Sequence, residues 1–311
     1  MSVGPDLVCI GEPMMEFNQQ RSADGRRLYL EGFGGDTSNA AVAASRQGAR
    51  VAYVTAVGQD SAGDRFMELW RQEGVDATAV ARDPAHPTAI YFVSHSERGH
   101  AFIYYRAGSA ASRMGVAAVP EAMIASAKFL YASGISQGIS ASAADAVFHA
   151  IGLARAAGAG VAYDTNYRPR LWPAARAAAV IHAAIALADI ALPSLEDATA
   201  LTGLLQPEAI TDFYLRLGPA MVVLKLGAAG VLLATAAGRV RIPPFPCTPV
   251  DGTGAGDTFC GSLLARLIAG DGAEAACRYA AAAAALKTEG YGAVTPIPRA
   301  EAVRAAMAAR C

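Results

Sequence analysis

The regular alternation of short apolar runs with helical patterns most constrains the fold of this chain. Apolar runs typical of buried strands lie at 7–10, 49–57, 129–132, 160–163, 190–192 and 221–226. Helical patterns lie between them, at 37–47, 62–73, 141–156, 174–186 and 195–201. Strands and helices that alternate at this spacing form βαβ units with right-handed crossovers. The sequence therefore predicts an α/β fold with helices covering a mainly parallel sheet.

Two segments depart from this alternation. Residues 14–33 and 88–106 alternate apolar with polar side chains and hold little helical pattern. Within the second segment, Glu97-Arg98-Gly99 lies between two strand-like runs and predicts a hairpin turn. We interpret both segments as strands of a small separate sheet that serves as a lid. The alternative is that they are edge strands of the main sheet.

Composition excludes several classes of protein. The chain has 311 residues, with 26 Lys and Arg against 27 Asp and Glu, and this balance argues against a nucleic-acid binder. The alanine-rich runs 177–188 and 279–286 are shorter than the ~20 residues that a membrane span needs. Residues 1–6 show no secretory signal, and the five cysteines form no C-x-x-C pair. We expect a cytoplasmic protein without nucleic-acid or membrane partners.

The motif that indicates chemistry is the turn Gly254-Ala255-Gly256-Asp257, which opens an apolar, helix-like stretch. Backbone N–H groups at a helix start have no intrahelical partner, and glycines let an anion approach them. A carboxylate beside such an anion site suits a base that activates a hydroxyl for attack on a phosphoryl group. We expect the helix dipole to favour its ionised form. The alternative is that Asp257 only caps the helix.

A second glycine feature, Gly34-Gly35, also precedes a predicted helix. Asp36 or Thr37 could cap that helix, and Asn39 in its first turn could reach a ligand. Other phosphate motifs are missing, because no Gly-Lys dipeptide, no D-F-G and no G-x-G-x-x-G after the first strand occur. Phosphate binding is therefore expected at the Gly254–Asp257 turn.

Three stretches together resemble the signature of the ribokinase-like sugar kinases, the phosphofructokinase-B type. They are Gly34-Gly35-x-x-x-Asn39, Asp164-Thr165-Asn166-x-Arg168 and Asp251-Gly252-Thr253-Gly254-Ala255-Gly256-Asp257-Thr258. The resemblance covers nearly the whole chain. It implies a Rossmann-like α/β/α sandwich with a small β-lid, and one kinase domain over 1–311 whose lid lies at about 14–33 and 88–106.

Within this family the chain resembles the 2-keto-3-deoxygluconate kinases, through stretches 11–17, 102–111 and 164–172. The resemblance implies ATP-dependent phosphorylation of the primary hydroxyl of a sugar acid. Arginine is the side chain best suited to bind its carboxylate, which points to Arg106 and Arg168. Either arginine could instead form a structural ion pair. Tyr91 and Tyr104 resemble substrate contacts or else belong to the core of the lid.

The resemblance also implies a nucleotide site. Lys225, Gly227 and Gly230 resemble the strand and turn that meet ATP, although both glycines could simply shape a hairpin. Many relatives have Pro-Asn-x-x-Glu where this chain has Pro193-Ser194-Leu195-Glu196-Asp197. Ser194 is the expected ATP contact there, and Asp197 would place Mg²⁺ indirectly, with Glu196 as a rival.

Two alternative functions stay open at this point. One is a kinase of the same family that acts on a neutral sugar or a nucleoside, such as fructose or ribose. The other is a non-catalytic ligand sensor on the same fold. Apolar side chains on the lid, Phe102 and Ile103 among them, further lead us to expect a homodimer that pairs through its lids, or a higher homo-oligomer. The alternative is a monomer in which these side chains fold onto their own domain.

Overall fold

The computed structural model describes residues 4–22, 24–96 and 99–309. Its strands are β1 (Leu7–Ile10), β2 (Met14–Arg21), β3 (Arg27–Gly34), β4 (Val51–Gly58), β5 (Val80–Asp83), β6 (Ala89–Ser96), β7 (Gly99–Tyr105), β8 (Phe129–Ser133), β9 (Gly160–Asp164), β10 (Ile190–Ala191), β11 (Met221–Lys225), β12 (Val231–Thr235) and β13 (Gly238–Ile242). Its α-helices are α1 (Asp36–Arg46), α2 (Ser61–Gln72), α3 (Glu121–Ser126), α4 (Gly134–Gly138), α5 (Ala141–Ala156), α6 (Ala174–Ile185), α7 (Leu195–Thr202), α8 (Pro207–Leu217), α9 (Ala255–Ile268), α10 (Ala273–Lys287) and α11 (Ala300–Ala308).

The main sheet has nine strands in the order β13-β12-β11-β10-β9-β8-β1-β4-β5. Strands from β11 to β5 pair in parallel, and β12 and β13 add an antiparallel edge. From β1 the chain winds first towards β4 and β5 and later towards β8 and β9. Ligands of such sheets bind where this direction changes, at the carboxyl ends of the strands. Here that place is the end of β1 and β8.

Two apolar cores lie on opposite faces of this sheet. Successive residues of a strand point to opposite faces, so Cys9 of β1 belongs to one core and Val8 to the other. Helices α1, α2, α9 and α10 cover the first face, and α5, α6 and α8 cover the second. The predicted α/β/α sandwich is confirmed.

The four remaining strands form a second sheet in the order β3-β2-β6-β7. Its outer pairs are antiparallel hairpins, and its central strands β2 and β6 pair in parallel. The prediction of a small separate sheet is therefore confirmed, and the alternative of edge strands in the main sheet is wrong. We refer to strands β3, β2, β6 and β7 as the lid sheet. Residues 97 and 98 of the predicted turn lie outside the described residues.

The predicted strands and helices agree closely with those of the structure. The structure adds elements that the sequence analysis did not predict, among them β5, β12, β13, α3, α8, α10 and α11. Helix α9 begins at Ala255, with Gly254 as its N-cap, so the predicted helix start is right. In the part of the chain that the structure describes, no helix combines the length and the apolar character needed to cross a membrane.

Candidate active site

Three of the residues that the sequence motifs single out come together at the carboxyl edge of the main sheet. Asp164 ends β9, Asp257 lies in the first turn of α9, and Asn39 lies in the first turn of α1. Asn39 Nδ2 donates a hydrogen bond of 2.8 Å to Asp257 Oδ2. The two glycine-preceded helix starts found in the sequence therefore converge on one point.

Gly254 shapes the start of α9 through its backbone. Its φ of 76° is left-handed, which favours glycine, and a Cβ there would approach Ala293 to 3.0 Å. The first helical hydrogen bond runs from Thr258 N to Gly254 O over 2.9 Å. The N–H groups of Gly256 and Asp257 precede that bond and have no intrahelical acceptor. They form the candidate anion-binding site.

Ala255 differs from its two neighbours in this respect. Its N–H already donates to Gly252 O, at 3.1 Å, and closes the turn before the helix. The N–H group of Ala255 is thus engaged, contrary to the expectation that it would bind the anion. Gly256 leaves open space, since a Cβ there would meet only Lys225 Nζ, at 3.8 Å.

The Asp257 carboxylate has an unusual electrostatic setting. Burial, assisted by the nearby charge of Asp36, raises its pKa to about 7. The hydrogen bond from Asn39 and the charge of Lys225 act in the opposite direction. Burial therefore outweighs the helix dipole that was expected to favour ionisation, and Asp257 exchanges its proton near neutral pH.

The Gly34-Gly35 feature has a structural reason at each position. A Cβ on Gly34 would lie 2.6 Å from the Tyr91 hydroxyl, and a Cβ on Gly35 would lie 2.4 Å from Glu12 O. Gly35 also has a φ of 103°. Helix α1 has no side-chain cap, so the expected capping by Asp36 or Thr37 is wrong.

Lys225 forms an ion pair inside the site. Its Nζ lies 2.7 Å from Asp164 Oδ2, and Cys260 Sγ donates to the same carboxylate oxygen at 3.3 Å. Burial alone would lower the pKa of Lys225, but the charge of Asp164 raises it above its usual value. Lys225 is therefore a fixed ammonium group beside Gly256.

The lid side of the site holds Arg106 in a second ion pair. Its Nη2 donates to Oε2 of Glu12, whose side chain is 0% exposed, and Ser109 Oγ donates to Glu12 Oε1 at 2.7 Å. The Nε of Arg106 is buried without a partner in the structure. The structural ion pair considered for Arg106 is thus present, and it leaves the buried Nε–H group without a partner among the described residues.

The two lid tyrosines differ from each other. Tyr91 is buried and its hydroxyl donates to Glu16 Oε2, which leaves Tyr91 as part of the lid core. Burial raises the pKa of Glu16 despite this hydrogen bond. Tyr104 is 37% exposed, and its ring centroid lies 5.7 Å from that of Tyr91. The Arg106 guanidinium carbon lies 6.0 Å from the Tyr104 ring centroid.

Arg168 follows β9 in a segment with a distorted backbone. Asn166 has a left-handed φ of 29°, which is costly for a residue with a Cβ, and its Nδ2 lies 3.4 Å from Asp36 Oδ2. Arg168 is exposed and donates to the carbonyl oxygen of Tyr167 at 3.1 Å. Its guanidinium has no carboxylate partner among the described residues, unlike that of Arg106.

The segment expected to contact nucleotide and magnesium forms the start of α7. Ser194 is its N-cap, and Ser194 Oγ accepts from Asp197 N at 3.1 Å. Asp197 Oδ2 accepts from Thr165 Oγ1 at 3.2 Å, and burial raises the Asp197 pKa. Glu196 is exposed. Within the described residues no group of three His, Cys, Asp or Glu could hold a metal by itself.

The turn after β11 contains the two remaining candidate glycines. Gly227 is exposed with a φ of 58° and open space around its missing Cβ. Gly230 is buried, and a Cβ there would lie 2.1 Å from Ile242 O. β11 and β12 are antiparallel neighbours, so this segment is a tight connection as well as a candidate ligand contact.

Several charged side chains of the site escaped the sequence analysis as functional residues. Four of these charged residues are buried, namely Glu12, Glu16, Asp36 and Lys287. The charge of Asp36 acts on Asp257, and the charges of Asp257 and Glu16 act on Lys287. Burial raises the pKa of Asp36, whose Oδ1 has no hydrogen-bond partner in the structure. A single charged residue next to a long apolar run is the sequence feature that could have revealed such a buried charge, as at Lys287 after Ala280–Leu286.

Comparison with known proteins decides the family. Residues 5–300 match the model of the pfkB family carbohydrate kinases. This chain belongs to that family. The chain is 34% identical to a 2-dehydro-3-deoxygluconokinase of Thermoproteus tenax over 302 residues, which is 94% of this chain and 92% of that protein.

Solved structures agree with this membership. The pfkB kinase resembles the crystal structure of a PfkB protein from Polaromonas sp. JS666, with a TM-score of 0.87 and 32% identity over 97% of this chain and 100% of that one. It also resembles a fructokinase with bound ATP from Xylella fastidiosa, with a TM-score of 0.90 and 26% identity over 98% of each chain. The predicted ribokinase-like fold and sugar-kinase activity are thereby confirmed.

Proposed function

We propose that this pfkB kinase transfers the γ-phosphoryl group of ATP to the primary hydroxyl of a sugar acid, 2-keto-3-deoxygluconate. The observation that supports an acidic substrate is the buried Nε of Arg106, which has no partner. A buried donor without an acceptor is costly, and a substrate carboxylate would satisfy it. The relative from T. tenax bears the name of a kinase for this sugar acid.

Asp257 is the general base of the proposed reaction. Its pKa of about 7 lets it accept the hydroxyl proton near neutral pH, where a base of this strength is most effective. Asn39 fixes the orientation of its carboxylate through the 2.8 Å hydrogen bond. The Asn39 Oδ1 is buried without a partner in the structure and can accept a sugar hydroxyl.

The start of α9 binds the transferred phosphoryl group in this proposal. The N–H groups of Gly256 and Asp257 lie at the positive end of the helix, and negative charge that develops on the phosphoryl oxygens is stabilised there. Gly254 sets the turn, and the Lys225 ammonium beside Gly256 adds a fixed positive charge. Closure of the lid over the sugar excludes water from the reacting groups.

Nucleotide and magnesium would be held at the neighbouring strand ends. Ser194 and Gly227 are the proposed ATP contacts. Gly230 shapes the turn after β11 that contains Gly227. Asp197 fits an indirect role in placing Mg²⁺, because its carboxylate is half-buried and Mg²⁺ usually keeps several bound waters through which a carboxylate can act. The bound ion would neutralise charge on the phosphates.

Tyr104, Arg106 and Arg168 complete the proposed sugar site, and Gly34, Gly35 and the buried Tyr91 form the wall behind it. Because Gly34 and Gly35 have no Cβ, the Tyr91 hydroxyl and the main chain at Glu12 pack closely against them. Helix α1 can therefore begin directly under the lid. Tyr104 extends from β7, and its partly exposed ring can pack against the sugar. Arg106 and Arg168 would bind the carboxylate from the lid and from the segment after β9.

A substrate panel tests this function. ADP release would be measured with 2-keto-3-deoxygluconate, its galactonate epimer, fructose and ribose. The proposal expects the highest kcat/KM for one of the sugar acids. A higher value for fructose or ribose would favour a neutral-sugar kinase, and no ADP release with any sugar would favour a sensor.

We further propose that residues 1–311 act as one kinase domain, located in the cytoplasm and paired with a second copy through the lids. The four described cysteines are free thiols, which suits a reducing compartment. The lid sheet leaves large apolar side chains exposed, namely Leu28, Tyr29, Leu30, Ile103 and Tyr105. An exposed cluster of this kind favours pairing with another apolar surface.

A further inference from the structure

Lys287 is a buried cation that the proposed mechanism leaves without a role. It is the last residue of α10, and its side chain is 0% exposed. Lysine is almost never fully buried without a partner. Its Nζ donates to the main-chain oxygen of Asp251 over 2.8 Å. This contact joins the end of α10 to the loop that leads into α9.

Asp251 is held by hydrogen bonds at every polar group. Its N–H donates to Thr288 O at 2.9 Å, its Oδ1 accepts from Thr253 N at 2.9 Å, and its Oδ2 accepts from Gly292 N at 2.8 Å. Lys287 supplies the remaining contact, at the carbonyl oxygen. The ammonium group therefore fixes the peptide between Asp251 and Gly252.

That peptide controls the start of α9. Peptide groups are planar, so fixing the Asp251 carbonyl also fixes the direction in which the chain enters Gly252. Gly252 O then accepts the N–H of Ala255 at 3.1 Å, in the turn that ends at Gly254. The position of the free N–H groups of Gly256 and Asp257 thus depends on the contact made by Lys287.

Lys287 also carries charge into a strongly acidic region. Burial lowers its pKa, while the charges of Asp251, Asp257 and Glu16 favour its ammonium form. Asp257 faces further charged groups from the elements around it: Asp36 of α1, Asp164 of β9 and Lys225 of β11. Lys225 is already paired with Asp164, as Arg106 is with Glu12.

We propose that Lys287 is a positioning residue for phosphoryl transfer, which holds the 251–254 loop under the anion-binding start of α9 and supplies positive charge beneath Asp257. It does not touch the substrate. It acts through Asp251 on the N–H groups of Gly256 and Asp257, and through its charge on the ionisation of Asp257. This inference rests on the proposed role of Asp257 as the base.

The test compares Lys287→Met with the wild-type kinase and with Lys128→Met as a matched control. Lys128 lies on the surface, where its side chain is 57% exposed and pairs with Asp6. We expect Lys287→Met to lower kcat about ten- to a hundredfold, as displacement of reacting groups does, with the sugar KM within about threefold of wild type. The control should match the wild type.

A pH profile separates positioning and charge from a purely structural role. Without the ammonium, ionised Asp257 loses a favourable charge, so the acid limb of kcat/KM should move to higher pH. An unshifted limb in Lys287→Met, or a kcat within about threefold of wild type, would overturn the inference.

Lys287→Gln serves as a second variant in case the methionine prevents folding, which circular dichroism will show. This variant removes the charge and keeps an N–H donor, so it should also move the acid limb of the kcat/KM profile to higher pH. A folded Lys287→Gln variant whose acid limb matches that of the wild type counts against the inference. Wild-type turnover in the same assay tests the proposed function independently. No turnover by the wild type would refute that function, whereas normal turnover by both Lys287 variants would refute only the role of Lys287.

Discussion

At the scale of single residues, two opposing effects act on the pKa of Asp257. It lies deep enough that burial raises its pKa to about 7, and Asn39 donates a hydrogen bond that favours its charged form. A carboxylate with its ordinary pKa near 4 would be a much weaker base. Asp257 also lies in the first turn of α9, so the proposed base and the proposed anion site share one helix start.

Asp257→Asn is expected to lower kcat by about 10²–10⁴ while ATP and sugar affinities stay within a few-fold, because the amide keeps the shape and can still accept from Asn39. Steady-state kinetics and isothermal titration measure the two quantities. Asp145→Asn, an exposed change on α5, is the matched control. A kcat for Asp257→Asn within about tenfold of wild type would exclude Asp257 as the base.

The pH dependence of the reaction follows from the same carboxylate. Asp257 must be ionised to accept a proton, so kcat/KM should be flat above its pKa of about 7 and fall as the pH drops below it. Asn39→Ala removes a contact that lowers this pKa, so the acid limb should shift to higher pH. Profiles of both proteins, measured at saturating ATP, check this. Coincident limbs would mean that another group controls the reaction.

At the scale of structural elements, the end of the lid and the segment after β9 each carry one of the proposed carboxylate-binding arginines, and the two are held differently. Arg106 on the lid side is 12% exposed and paired with fully buried Glu12. Arg168 is exposed and bonded only to the neighbouring main chain in the structure. Removal of each arginine should therefore have separate consequences.

Arg106→Ala should lower both stability and sugar-acid turnover. It leaves the Glu12 carboxylate buried and unpaired, which costs about 3–5 kcal/mol. Arg168→Ala should leave the Tm near the wild-type value and lower only kcat/KM for the sugar acid, by about 1.5–3 kcal/mol of lost charge-assisted hydrogen bonding. Thermal denaturation and kinetics with 2-keto-3-deoxygluconate and fructose distinguish the two. Equal losses on both sugars would rule out carboxylate recognition.

The sequence predicts elements better than it predicts contacts between them. Strands β1, β8 and β9 follow from continuous apolar runs, because each strand faces one apolar core on either side of the sheet. Helix α5 follows from its helical periodicity, because it buries one face in one of these cores. The separate lid follows from its alternating pattern. Strands β12 and β13 escaped the prediction, since a short apolar run at a sheet edge does not reveal its direction or partner.

The candidate site shows the same limit more sharply. The glycine turn and Asp257 could be predicted, because a helix start has fixed backbone chemistry. The contact of Asn39 with Asp257 spans 218 positions in the chain, and that of Arg106 with Glu12 spans 94. Only the packed fold sets such pairs, and burial, which raises the pKa of Asp257, is equally a property of the whole fold.

At the scale of the whole molecule, the exposed apolar side chains of the lid predict association. Ile103 is 53% exposed on β7, and Ile103→Glu should shift the proposed dimer towards the monomer and weaken sugar binding with it. Sedimentation at micromolar concentration measures the first effect and titration with the sugar the second.

Val116→Glu is the control for this change, since Val116 is 43% exposed in a short helical turn outside the lid. The control should leave the association state unchanged. A wild-type protein that sediments as a single species near 31.9 kDa would contradict the lid-paired dimer.

The parallel pairing of β2 with β6 at the centre of the lid also dictates an order of folding. Each outer hairpin is local, but the strands that join them are separated along the chain by α1, β4, α2 and β5. Closing so long a loop costs chain entropy that is recovered only when the intervening elements have found their places. During synthesis we therefore expect the β2–β3 hairpin to wait for β6, and the centre of the lid to pair only after β1, β4 and β5 have done so.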